Sequence, residues 1–286
     1  MNFNFAMCQV ETKAWDAEGN LKRAYASIEK AAELAADLCC LPECVLSGYP
    51  TVKTTEEIER LTLIAEKLGG PIHQKLMGMA KSLGIDVIFG YPELGDDGKL
   101  YNSCVYIRKD GSIKANYRKV HLRDFEVAGG FVPGDEFPVV EVELGGETVR
   151  VGLMICFDRE LVESSRCLRA QGAEFIAVPL ATDTYPLNRP IDTMQNEMLT
   201  RTRAAENEVF MAVVNHAGRF NGGSFVVGPK GEVLASMNVE AGVEVVRVPI
   251  HVLREEYHSK PLGWMGWGYR RPELYEKYLG PGSDKS

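Results

Sequence analysis

Cys156 lies where an apolar run ends and a helical pattern begins. The run from Val149 to Ile155 is typical of a buried strand, and the helical spacing continues to Gln171, before Gly172. A thiol at such a turn would meet the free N–H groups and the positive dipole end of the helix, which favour a thiolate. Because the thiolate is the nucleophilic form of cysteine, this position predicts covalent catalysis. A buried structural cysteine is the alternative.

Three other side chains could support a thiol that attacks a carbonyl or nitrile carbon. Such a reaction needs a proton acceptor, an oxyanion stabiliser and an activated water. Glu43 follows a short apolar strand, where burial would raise its pKa towards that of a general base. Lys119 lies in a strand-like run, where a buried ammonium could hold an oxyanion. Glu126, further along the chain, could position Lys119 or the water. The alternatives are solvated loop carboxylates and a surface lysine.

Two further residues near these candidates carry weaker signals. His121 invites comparison with a cysteine–histidine dyad, but a strand histidine so close to Lys119 is more typical of a hydrogen-bonded structural residue. Arg159 could bind a substrate carboxylate, or could equally pair with Glu160 or Glu163.

The segments that must position these residues alternate between strand-like and helix-like patterns along the chain. Asn20 is a candidate cap for a helix that runs to Leu38, and hairpins interrupt the β-α alternation. This mixture predicts α/β layers with some antiparallel strand pairs. Without a linker or repeat, a single domain over residues 1–286 is expected. Residues 261–286 form an aromatic, glycine-rich C-terminal arm that covers its own subunit or contacts a second one. Trp264 and Trp267 of this arm could close the substrate site.

Composition narrows the function classes. The 286 residues carry a formal net charge of −8, which argues against nucleic-acid binding and against a polybasic membrane surface. No apolar stretch approaches the roughly 20 residues of a membrane span, and no secretory signal is visible. A cytoplasmic location is therefore expected.

Metal-binding and redox motifs are not apparent. The seven cysteines show no Cys-x-x-Cys spacing, and the five histidines are scattered. We therefore expect reduced, mostly buried thiols, with no metal and no cofactor.

Three segments together resemble the signature blocks of the nitrilase, or carbon–nitrogen hydrolase, superfamily. They are Leu41-Pro42-Glu43 with Gly48-Tyr49, Tyr117-Arg118-Lys119-Val120-His121-Leu122, and Gly152-Leu153-Met154-Ile155-Cys156-Phe157-Asp158. Supporting similarities follow in order along nearly the whole chain: Arg166, Gly172-Ala173-Glu174, Arg203-Ala204-Ala205-Glu206-Asn207, Gly223-Ser224, Pro229, Gly231 and Arg271-Pro272.

The resemblance implies a fold and a set of roles. It implies a four-layer α-β-β-α sandwich with mixed parallel and antiparallel sheets, assembled as a homodimer or a higher homo-oligomer, without cofactor or metal. Cys156 would be the nucleophile, Glu43 the general base, Lys119 the oxyanion stabiliser together with the N–H of Phe157, and Glu126 an accessory glutamate. Val162 departs from the proline of many members, and the loop that carries Glu126 varies in length.

The resemblance also indicates a branch of the family. Phe157-Asp158 replaces the Trp-Glu pair typical of true nitrilases, which favours amide and N-carbamoyl hydrolysis. The resemblance places the substrate near Tyr49, Phe157, Leu180 and Ala181.

The leading hypothesis is a thiol amidohydrolase that cleaves the C–N bond of a small amide or N-carbamoyl amine. We expect the protein to bind this small molecule and to bind neither nucleic acid nor a membrane. A true nitrilase is one alternative, and a catalytically silent binding protein on the same fold is another.

Overall fold

The computed structural model describes residues 2–182, 190–220, 222–260 and 266–280, with side chains of residues 190–195 left undescribed. Trp264 lies outside the described residues. The strands are β1 Phe3–Gln9, β2 Leu38–Cys40, β3 Asp86–Leu94, β4 Leu100–Ile107, β5 Ile113–Arg118, β6 Val139–Leu144, β7 Glu147–Leu153, β8 Phe175–Pro179, β9 Phe210–Val214, β10 Phe225–Val227, β11 Val233–Ser236 and β12 Gly242–Val248. The α-helices are α1 Ala17–Glu33, α2 Thr55–Ile64, α3 Pro71–Leu83, α4 Asp124–Ala128, α5 Val162–Ala170, α6 Pro190–Asn207, α7 Ile250–Val252 and α8 Pro272–Leu279.

The strands form two six-stranded sheets. The first has the order β12-β1-β2-β3-β4-β5, and the second has the order β11-β10-β9-β8-β7-β6. In the first sheet β2 pairs in parallel with β1 and β3, whereas β4 is antiparallel to β3 and β5. In the second sheet β8 is parallel to β7 and β9, with antiparallel pairs on either side. Both sheets are therefore mixed.

The two sheets pack face to face around the larger core. Phe3 and Phe5 of β1 contact Phe175 of β8, with ring centroids 5.3 and 4.9 Å apart. Alternate β1 residues point the other way, and Ala6 and Cys8 join a second core beneath α1 and α3. Helices α5 and α6 cover the outer face of the second sheet. This arrangement confirms the predicted four-layer α-β-β-α sandwich.

Local signals explain several element boundaries. Helix α2 begins at a capping box, in which Thr54 accepts from the N–H of Glu57 and the Glu57 carboxylate accepts from the N–H of Thr54. Helix α1 begins earlier than predicted, because Asp16 rather than Asn20 accepts from the first turn. Asn20 is buried inside the helix, where its amide bonds to Lys13.

The sequence predictions of one domain and of a C-terminal arm stay predictions. In the described part of that arm, the Trp267 ring packs between the guanidinium groups of Arg169 and Arg270. Within the described residues, no helix combines the length and the apolar character that crossing a bilayer requires.

Candidate active site

The predicted catalytic side chains converge from the ends of strands in both sheets. Glu43 follows β2, Lys119 follows β5, Glu126 lies in α4, and Cys156 follows β7. The Glu43 and Lys119 side chains meet although 76 residues separate them in the chain. The fold therefore brings side chains that are far apart in the sequence into one site.

Gly90 of β3 allows the backbone at Glu43 to approach the sheet. A Cβ atom at Gly90 would lie 2.2 Å from the carbonyl oxygen of Pro42 and 3.0 Å from the Cα of Glu43. Only glycine fits this contact without displacing the segment that carries Glu43.

Lys119 is the centre of a buried charge cluster. Its Nζ donates to Oε1 of Glu43 at 2.8 Å, and to Oε1 and Oε2 of Glu126 at 2.9 and 2.8 Å. All three side chains are almost completely buried. Because an ammonium has three protons, these contacts occupy its donors.

The two glutamates differ in how far their oxygens are satisfied. Glu126 Oε2 also accepts from the N–H of Arg123 at 2.9 Å, so both Glu126 oxygens have donors. Glu43 Oε2 is buried and has no hydrogen-bond partner among the described residues. A lone pair is therefore available on Glu43 and not on Glu126.

Asn102 is a member of the cluster that the sequence analysis missed. Its Nδ2 donates to Oε1 of Glu43 at 2.6 Å and to Oε1 of Glu126 at 2.8 Å. Its backbone carbonyl accepts from the N–H of Lys119 at 2.8 Å, so the two residues are neighbours across β4 and the end of β5. An asparagine in a buried, mostly apolar strand was the signal that could have identified it.

Burial and charge set the protonation of the cluster. Burial raises the pKa of Glu43; Lys119 opposes this shift, and Glu126 adds to it. Burial alone would lower the pKa of Lys119, but the negative charges around it outweigh burial and hold the pKa above its ordinary value. The lysine is therefore a permanent cation beside a carboxyl group with a raised pKa.

Cys156 occupies a strained turn directly after the buried strand. Its backbone has φ of 45°, in the left-handed region that side chains with a Cβ rarely adopt. A short 3₁₀ turn, Cys156–Glu160, precedes α5. The first N–H groups of such a turn, including that of Phe157, have no partner within it.

The sequence predicts a thiolate at Cys156, and the structure corrects that prediction. Burial, followed by the charge of Glu43, raises the pKa of the Cys156 thiol to about 12. Lys119 opposes the shift, but only a five-residue 3₁₀ turn begins at the sulfur. The resting form is therefore the thiol, which needs a base to remove its proton.

Asp158 stabilises this turn through hydrogen bonds to three neighbouring residues. Its Oδ2 accepts from the N–H of Ile155 at 3.1 Å and from the hydroxyl of Tyr117 at 2.6 Å. Its Oδ1 accepts from the N–H of His121 at 2.9 Å and contacts the His121 ring at the same distance. His121 is thus the hydrogen-bonded structural residue that the sequence favoured.

His216 fixes the backbone of Glu43 from the other side. Its Nε2 lies 2.7 Å from the carbonyl oxygen of Glu43, and its Nδ1 lies 2.8 Å from the hydroxyl of Thr12. Burial lowers the pKa of His216 to about 3, so the ring is neutral. A neutral ring donates from Nε2 to the carbonyl and accepts at Nδ1 from the hydroxyl.

A cavity of about 430 Å³ opens onto Cys156. Its walls combine aromatic, polar and charged residues: Tyr49, Pro50, Thr51, Arg123, Phe125, Phe157, Glu160, Ala181, Thr182, Arg219 and Phe220. Three of the four predicted substrate-binding residues, Tyr49, Phe157 and Ala181, belong to this wall. Leu180 instead is fully buried, and its carbonyl accepts from the N–H of Glu43 at 3.4 Å. The described wall of this cavity does not include Trp267.

Arg159 occupies neither of its predicted environments. It is buried behind the turn, where its Nη1 donates to Asn196 and, at 3.2 Å, to Thr200. It lies outside the described wall of the cavity, and Glu160 acts on it only through its charge, which opposes the lowering of the Arg159 pKa by burial. The described residues also contain no group of three or more His, Cys, Asp or Glu side chains arranged to hold a metal ion.

Comparison with known proteins identifies relatives of this architecture. The carbon–nitrogen hydrolase family model matches residues 4–255. An omega-amidase from Homo sapiens is 31% identical over 96% of this chain and 97% of its own. A probable nitrilase from Schizosaccharomyces pombe is 30% identical over 98% of this chain and 100% of its own.

Solved structures give the same result. The crystal structure of an amidase from Nesterenkonia sp. superposes with a TM-score of 0.77 at 28% identity, covering 97% of this chain and 96% of that one. A variant of that amidase carries the acetamide moiety of fluoroacetamide covalently added at its active-site cysteine. Fold and sequence together therefore show that this chain belongs to the carbon–nitrogen hydrolase family, within the nitrilase superfamily.

Proposed function

We propose that this protein hydrolyses the C–N bond of a small linear amide through an acyl-enzyme on Cys156. The observation that carries the proposal is the unpartnered Oε2 of Glu43, a buried base whose charge acts directly on the Cys156 thiol. The raised pKa of Glu43 makes its carboxylate a stronger base towards the thiol proton, which the sulfur loses as it attacks.

Acylation begins when Glu43 takes the thiol proton and the sulfur attacks the carbonyl carbon. The C–S bond forms, and the carbonyl electrons move to oxygen. The N–H of Phe157 and the positive charge of Lys119 stabilise this oxyanion, and an Nζ proton reaches it when Lys119 gives up one of its two contacts with Glu126. When the oxyanion collapses, the C–N bond breaks and Glu43 returns the proton to nitrogen, releasing ammonia or an amine and leaving a thioester on Cys156.

Deacylation reverses the roles with water as the nucleophile. Glu43 takes a proton from water as the water oxygen attacks the thioester carbon. Collapse breaks the C–S bond, and the proton returns to sulfur, giving a carboxylic acid and the free thiol. Glu126 takes no proton, because its oxygens already accept from Lys119, Asn102 and Arg123; it holds Lys119 in place.

Two observations support an amide as the substrate. Relatives of this chain are named amidase or omega-amidase, and the Nesterenkonia sp. amidase has been crystallised with acrylamide. The cavity at Cys156 is at the small end of the range for ligand sites, which suits a short acyl group.

An ammonia-release screen tests the proposal. The wild-type protein, Cys156→Ala and Cys167→Ala are incubated with primary amides, N-carbamoyl amines and nitriles. Cys167 is the matched control, because it is an exposed free thiol outside the cavity, although the sequence suggested that all cysteines other than Cys156 are buried. We expect amide turnover that Cys156→Ala abolishes and Cys167→Ala retains.

Four other outcomes would contradict the proposal. Nitriles as the sole substrates would indicate a nitrilase, and N-carbamoyl amines alone would indicate a carbamoyl hydrolase. No turnover of any compound would favour the binding protein. Full turnover by Cys156→Ala would exclude the sulfur as the nucleophile.

A further inference from the structure

We propose that Asn102 is a positioning residue that keeps Oε2 of Glu43 available as the base. This inference rests on the proposed function and extends it to a residue outside the four predicted catalytic side chains. Asn102 lies in β4, is fully buried, and contacts both glutamates of the cluster.

The orientation of the Asn102 amide follows from its neighbours. Each proton of Nδ2 points at a carboxylate oxygen, one on Glu43 and one on Glu126. The reverse orientation would place the amide oxygen against two carboxylates, which can only accept. Oδ1 faces the thiol of Cys44, which donates to it at 3.3 Å. All the polar atoms of this side chain are therefore in use.

Asn102 and Lys119 act on the same oxygen of Glu43. Both donate to Oε1, at 2.6 and 2.8 Å, and together they fix the rotation of the carboxyl group. With Oε1 doubly occupied, the remaining basic lone pairs lie on Oε2, which has no partner among the described residues. With Lys119 as the sole donor, the Glu43 carboxyl group could rotate and offer either oxygen to it. Asn102, as the second donor, makes the two oxygens inequivalent.

Asn102 also keeps the two acids at a fixed separation. Glu43 and Glu126 carry like charges next to one ammonium, and the charge of Glu126 raises the pKa of Glu43. The amide donates to both at once and stabilises both ionised forms. The Asn102 hydrogen bond accordingly lowers the pKa of Glu43.

Three substitutions at this position separate donation from packing. Asn102→Leu keeps the number and the branching of the side-chain heavy atoms but removes both donors. Asn102→Ser keeps one donor, and Asn102→Asp keeps the shape but adds a third carboxyl group. The control is Ser103→Ala on the same strand, which removes a buried hydrogen bond of 2.7 Å to the carboxylate of Glu93, away from this cluster.

The main readout is the pH titration of the Glu43 carboxyl group by infrared difference spectroscopy, with Glu43→Gln used to assign the band. This measurement does not depend on turnover, so it tests Asn102 even if no amide is hydrolysed. We expect the titration to move to higher pH in the order wild type, Ser, Leu, Asp, and to stay unchanged in Ser103→Ala. Where Asn102→Leu does not fold, the Ser variant still gives a shift of the same sign.

Turnover provides the second readout. In Asn102→Leu we expect kcat to fall by about tenfold to a hundredfold while KM stays within about twofold, since the loss concerns proton transfer and not substrate contact. A Glu43 titration that coincides in wild type, Ser and Leu variants would overturn the proposal. So would equal losses of kcat in Asn102→Leu and Ser103→Ala, because a purely structural role predicts that result.

Discussion

Lys119 donates to Oε1 of Glu43, and the other oxygen of that carboxyl group has no partner among the described residues. A symmetric pairing would have neutralised both oxygens and left no base. The asymmetry lets one cation stabilise the cluster while the acid beside it can still accept a proton.

Removal of the cation should destabilise the fold as well as stop the reaction. In Lys119→Met the carboxyl groups of Glu43 and Glu126 would lie buried without a counter-charge. Breaking a buried ion pair in this way costs about 3–5 kcal/mol. We expect the free energy of unfolding, measured by urea denaturation, to fall by that amount, with no detectable turnover. Lys114→Met is the control: Lys114 is an exposed lysine in β5, the strand that precedes Lys119, and this variant should unfold like wild type. Equal stability of the two variants would contradict the charged cluster.

The raised pKa of Glu43 predicts the acid limb of the pH–activity profile. The base must be ionised to take the thiol proton, so kcat/KM should fall as the pH drops through the pKa of Glu43. Because burial raises that pKa, the fall should begin at higher pH than for an ordinary glutamate, whose pKa is 4.5. Initial rates across the pH range, with circular dichroism to confirm folding, would measure it. Activity that persists undiminished down to the ordinary value would exclude Glu43 as the base.

His216 should make the protein less stable in mild acid. Its pKa is about 3 in the fold and 6.5 as the ordinary value, so between these values only the unfolded chain takes up the proton. Stability from this group is complete above pH 6.5 and is lost as the pH falls, at up to about 1.4 kcal/mol per pH unit. His73, with a pKa lowered to about 4 by burial, has the same sign.

Urea denaturation of wild type and His216→Gln at about pH 6 and about pH 5 tests this assignment. The free energy of unfolding should drop less in the variant, by about 1 kcal/mol, because one of the two buried histidines is gone. An equal drop in both proteins would mean that His216 is already charged in the fold.

Gly90 and Gly78 should respond in opposite ways to the same substitution. A Cβ atom at Gly90 would collide with the backbone just before Glu43. A Cβ atom at Gly78 in α3 would have no neighbouring atom of the surroundings within 4 Å. Gly90→Ala should lose about 1–3 kcal/mol of stability and most of its activity, because the base is displaced. Gly78→Ala should gain up to about 1 kcal/mol with unchanged activity. Thermal denaturation and the ammonia assay compare the two; an active, stable Gly90→Ala would contradict the close approach.

Sequence patterns predicted most of the elements and the members of the charge cluster, because strand ends can be recognised locally. The predicted strand from Val149 to Ile155 corresponds to β7, Glu147–Leu153, and the helical spacing up to Gln171 corresponds to α5, Val162–Ala170. Asp16 and Asn20 are both residues that cap helices, and only the contact with Gly19 decides between them.

What the sequence could not supply depends on neighbours distant in the chain. Asn102 lies inside a strand, and its importance comes from the two carboxylates that other segments bring to it. The sign of the Cys156 pKa shift was missed for the same reason. The local turn favours a thiolate, but the desolvation of the sulfur at the cavity and the charge of Glu43 outweigh it.

The pairing of β1 with β12 has a consequence for how this protein is made. Phe3 lies opposite Val248, so the first sheet gains its edge strand only after all strands of the second sheet have been synthesised. Strands β6 to β11 of the second sheet, by contrast, each pair with a sequence neighbour and can assemble while translation continues. During translation β1 therefore has an unpaired edge, with which strands of other nascent chains could pair. Chaperone demand should be highest in that interval and should end when β12 emerges.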